Sequence, residues 1–199
     1  MKKLLQLKHW QLFIIIFAIP MILQTGFSVY MFVNMFAMTM KNPEDPQIII
    51  DGISSMTRIL PIILVIVTTL QFLWQYTLGT NLYKKIPEGV NLNLRLFKLS
   101  LIVPIVYLLV ICFIMINISI TLDESSIPNP FLILIIPFNF LTILCVVYCY
   151  YFSAKAFKSI ELQRNVVFND FIAEFFLIWF FFIGVWILQP RINKIFEQQ

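Results

Sequence analysis

Five apolar stretches, residues 10–40, 59–82, 99–120, 131–152 and 171–188, occupy most of this 199-residue chain. A helix needs about 17–25 apolar residues to cross a hydrocarbon layer roughly 30 Å thick, and each stretch reaches that length. The connections between them are short and leave no segment from which to build a water-soluble domain. Inside lipid every backbone N–H and C=O must find a partner within the protein, which selects helices for such stretches. The expected fold is all-α: a single integral membrane domain over residues 1–199, a polytopic bundle of about five spans. Four spans with a re-entrant or interfacial C-terminal helix is the alternative.

Composition supports this. Only 12% of residues are charged and the mean hydropathy is +0.90, against about 25% charged in soluble domains. Gly is scarce and no Gly-x-x-x-Gly pair occurs, so helix contacts are expected to rely on large side chains. The net charge of +4 comes from residues flanking the spans and gives no reason to expect nucleic acid as a partner; the expected partners are the bilayer and other membrane proteins. Cys112, Cys145 and Cys149 all fall within apolar stretches, which argues against a disulfide framework. The N-terminal Met-Lys-Lys-Leu-Leu run resembles the start of a secretory signal. The apolar run after it is too long and lacks an Ala-x-Ala-like site, so an uncleaved signal-anchor is expected.

Residues 10–40 would form a helix of roughly 46 Å, which must tilt or project beyond the hydrocarbon. Gln24-Thr25-Gly26 offers a turning point, but each half would be too short to span, so one long helix is expected. Pro43 and Pro46 end it. Asp51-Gly52 reads as a turn, with Ser54 and Ser55 as caps for the second span. Residues 153–164 contain no breaker and should continue the fourth helix. Asn169 or Asp170 should cap the fifth, with Pro190 following its end.

Lysine and arginine placement sets the orientation. With five spans and the N-terminus cytoplasmic, ten basic residues lie inside and four, Lys41, Arg58, Arg191 and Lys194, lie outside. A turned-back C-terminal helix would improve the split to twelve against two. The uniformly apolar Phe-Phe-Leu-Ile-Trp-Phe-Phe-Phe run argues instead for a full span.

Polar residues within the spans are few. Gln24, Ser28 and Asn34 mark the first; Thr68, Gln71 and Gln75 line one face of the second; Asn117, Asn139 and Glu174 belong to the others. Gln24, Asn34, Gln71, Gln75 and Glu174 are the candidate site residues. Such groups either line a hydrated path or lock helices together by hydrogen bonds; the amide faces of the first two spans are expected to meet inside the bundle. Glu174 is expected in the first turn of the fifth helix, as an ionised anchor paired with Arg95, Lys98, Lys155 or Lys158. No cofactor or metal site is expected, because His9 is the only histidine and Cys145 with Cys149 supplies only two ligands. Met31, Met35 and Met38 share a face that suits packing. No Gly-x-Ser-x-Gly, His-Glu-x-x-His or phosphate-binding loop pattern occurs, and a non-enzyme is expected.

Three stretches, Tyr76–Pro87 (YTLGTNLYKKIP), Ile160–Arg164 (IELQR) and Glu174–Phe196, together resemble small integral membrane proteins of flavobacteria-like bacteria, a group without an assigned activity. The likeness extends over most of the chain. It implies a bacterial inner membrane and carries over no functional residue. The expected role is that of an accessory or structural membrane protein acting through partners in the bilayer. A small transporter or channel-like protein using the amide faces of the first two spans is the alternative.

Overall fold

In the computed structural model, the described backbone covers Leu5 and residues 7–41, 47–120 and 130–197; side chains are described for Leu5 and residues 7–41, 61–114 and 135–196. Six helices follow one another among these residues. They are α1 (His9–Lys41), α2 (Gln47–Tyr83), α3 (Leu94–Ile120), α4 (Pro130–Leu162), α5 (Phe168–Trp179) and α6 (Phe181–Glu197). No strand occurs among the described residues. The fold is an all-α bundle, and α1 to α4 are each long and apolar enough to cross a membrane.

Prolines are absorbed rather than obeyed. Pro61, Pro104, Pro137 and Pro190 lie inside helices, so α6 runs through the proline expected to follow its end. Within α1, residues Ile14–Ala18 form a π-turn in which the N–H of Ile19 bonds Ile14. This wider turn sits just before Pro20, which has no N–H to offer the preceding turn. The Asp51-Gly52 turn is not formed either: α2 is helical from Gln47, and the hydrogen bonding of a long helix outweighs a weak local turn preference. The expected continuation of α4 through residues 153–162 is present.

The last apolar stretch breaks. Helices α5 and α6 meet at Phe180 with a bend of 120°, so the chain turns back on itself and the last apolar stretch is not one straight helix. At 12 and 17 residues, they are roughly 18 and 26 Å long. The break is specified locally. The N–H of Phe180 bonds Phe176, and its carbonyl accepts from Ile183 and Gly184, so the corner leaves neither backbone group of Phe180 unpaired. A Cβ at Gly184 would collide with the carbonyl of Leu177, so only glycine lets the two arms approach this closely.

Tight packing gathers at one end of the bundle. Gly79 of α2 leaves room for the Phe97 ring of α3, which stacks on Phe152 of α4 at 4.3 Å between centroids. Close approach through small residues therefore occurs at single glycines, not at the paired motif the sequence lacks. The α5 face Phe171, Glu174, Phe175 and Ile178 packs against this core. The α6 face Phe181, Val185, Leu188 and Ile192 does the same, and Leu5 and Leu12 complete it. Towards the other end, α1 stands away: residues 21–26 are all exposed. The apex of the α5–α6 hairpin lies beside Trp74, whose ring meets Phe181 edge-on at 5.0 Å. Trp74 is nine residues before the end of α2 at Tyr83, so the apex reaches roughly 14 Å along that helix.

Candidate functional site

Glu174 lies in the second turn of α5, because that helix begins at Phe168. Its place in the second turn puts it one turn further in than the first-turn position expected. The Asp170 carboxylate instead serves the helix start, accepting the Val167 N–H at 3.1 Å and pairing with Arg164.

The Glu174 side chain is only 4% exposed. Its Oε1 accepts from Lys158 Nζ at 3.0 Å and from Arg191 Nη2 at 2.8 Å. Arg191 also grips Glu161 through both carboxylate oxygens, and its guanidinium lies 4.9 Å from the Phe157 ring centre. Lys158 reaches Glu161 at 3.4 Å. Two cations and two carboxylates thus cancel within one cluster joining α4, α5 and α6. Lys158 was among the basic partners expected; Arg191 was not, because a continuous fifth span would put it on the opposite side.

Glu174 lies outside the four long helices. Burial disfavours its charge, but hydrogen bonds from Arg191 and Lys158 outweigh burial and hold its carboxyl below the ordinary 4.5. Breaking a fully buried pair costs about 3–5 kcal/mol. Lys158 and Arg191 are partly exposed, so loss of one partner here should cost about 1–3 kcal/mol.

A second polar tie lies between α2 and α4. Gln75 is fully buried, and its Nε2 donates to the Ser153 hydroxyl at 2.9 Å and the Cys149 carbonyl at 3.1 Å. A third fastens the N-terminal segment: Gln189 of α6 donates to the carbonyls of Leu5 at 2.9 Å and Leu7 at 3.2 Å. Sequence inspection missed Gln189, which sits beside Pro190 where a helix end was expected. Further along the bundle, Asn139 of α4 donates to the Tyr107 hydroxyl of α3.

The remaining candidates do not converge. Gln24 is exposed and Gln71 is half-buried, and neither has a hydrogen-bond partner among the described residues. Asn34 bonds the Tyr30 carbonyl of its own helix. The expected meeting of the Gln24 face with the Gln71/Gln75 face does not form, because α1 stands off from its neighbours at that level. Among the described residues, no three His, Cys, Asp or Glu side chains are grouped to hold a metal ion. Comparison with protein-family models, curated proteins and solved structures found no match to this chain.

Proposed function

We propose that this chain is an accessory or structural multi-pass membrane protein that works through contacts with partners in the bilayer. One observation carries the reading. The buried acid and amides, Glu174, Gln75 and Gln189, are each committed to tying one element to another. Each contributes its bonded atom to holding the shape of the bundle, while Glu174 Oε2, Gln75 Oε1 and Gln189 Oε1 are buried without a hydrogen-bond partner among the described residues.

The proposed setting is a bacterial inner membrane with the N-terminus cytoplasmic. Because Arg191 bonds Glu161 at the end of α4, and Lys85 bonds the Ile195 carbonyl, the C-terminal helix returns to the end shared by the α2–α3 loop. Arg191 and Lys194 then join the inner basic residues, and the count becomes twelve against two, a stronger asymmetry than a fifth span would give.

Affinity purification at native expression in mild detergent tests the role: an integral membrane partner should be recovered in fixed proportion. Solute flux in proteoliposomes that disappears with Gln71→Leu, while folding is kept, would overturn it in favour of transport.

A further inference from the structure

We infer that the packed end of the bundle is an interaction surface for anionic phospholipid headgroups. The argument starts from charge that the protein does not neutralise. Four acidic side chains are described at this end, Glu88, Glu161, Asp170 and Glu174. Three of them are consumed by Lys158, Arg164 and Arg191. Lys85 is engaged with the Ile195 carbonyl and the Phe196 ring. Lys8, Lys84, Arg95, Lys98, Lys155 and Lys194 have no carboxylate partner among the described residues, and of the acidic side chains described at this end Glu88 alone remains to set against them.

The distribution of these cations selects the ligand. They come from the segment before α1, the end of α2, the first turn of α3, the end of α4 and the end of α6. A single soluble anion would need them gathered at one point. A cation on nearly every element around one end of a bundle matches a ring of headgroups instead. The surroundings fit an interface: Trp10 and Trp186 are exposed on the elements of this end, where aromatic side chains settle between hydrocarbon and water. Lys155 also lies over the Tyr151 ring of its own helix, its stem on apolar surface and its charge at the rim. Anionic headgroups attract such residues within a screening length of the surface.

The test uses the full-length protein in vesicles of phosphatidylcholine mixed with brominated phosphatidylglycerol or with brominated phosphatidylcholine. Quenching of the tryptophans reports which lipid sits against the protein. Phosphatidylglycerol should be preferred several-fold, and the preference should shrink at high salt. Combined Lys84→Gln, Arg95→Gln and Lys98→Gln should bring it close to unity, with the melting midpoint in pure phosphatidylcholine unchanged. Lys41→Gln, at the opposite end of α1, should leave it intact. Equal quenching by the two lipids, or an unaltered preference in the triple variant, would overturn the inference. So would abolition of the preference by millimolar inorganic phosphate, since that identifies a small-anion site.

Discussion

Arg191 decides more about this molecule than any other side chain, because it shows where the C-terminal helix ends up. It also makes Glu174 testable. Glu174→Gln keeps an acceptor but leaves two cations facing one carboxylate, and should lower stability by about 1–2 kcal/mol. Its pH dependence has a definite sign. A carboxyl whose folded pKa is depressed contributes stability that is complete above its unfolded value, ordinarily 4.5. That contribution is lost as pH falls through the lower folded value. In detergent, the difference in melting midpoint between the parent and Glu174→Gln should be constant from neutral pH to about 5 and then shrink. A difference that grows on acidification would refute the pairing. Gln75→Leu removes the α2–α4 tie while keeping the volume, and should cost about 0.5–2 kcal/mol; Gln71→Leu, at a position without a partner among the described residues, should be close to neutral. Identical losses at the two positions would show that burial, not hydrogen bonding, sets the cost. Sequence spacing placed both glutamines on one face but could not say which would meet a neighbour, because that depends on the path of α4.

At the level of elements, the four long helices were legible from length and apolarity alone, since hydrocarbon admits little else. The break at Phe180 was not. Residues 175–183 are apolar on every side, so periodicity carries no information there, and the one local sign was Gly184. That residue separates two otherwise similar substitutions. Gly184→Ala should destabilise by about 1–3 kcal/mol or more, because its Cβ would strike the backbone of Leu177. Gly26→Ala should be neutral or stabilising by up to about 1 kcal/mol, because nothing lies within 4 Å of a Cβ there. Thermal unfolding of the two variants in one detergent checks the pair, and equal behaviour would mean that α5 and α6 are not closely apposed. Asp51-Gly52 and Pro190 show the reverse error: both are punctuation by local preference, and both lie inside helices, where the length of the apolar helix overrides a weak local signal.

For the whole molecule, the hairpin favours the proposed topology of four crossings. Cysteines replacing Lys84 and Lys194 should become accessible to a membrane-impermeant thiol reagent together, and only after the cells are permeabilised. A cysteine replacing Lys41 should label in intact cells. Labelling of position 194 with position 41 would restore a fifth crossing and remove the Arg191 cluster. The hairpin that stops beside Trp74 also gives the molecule unequal ends. In the proposed topology, six helices would pass through one leaflet and four through the other. With helices about 10 Å across, the difference is roughly 150 Å² of lipid displaced from a single leaflet. A protein placed in that way would be a wedge, and a membrane crowded with it would relieve the mismatch by bending.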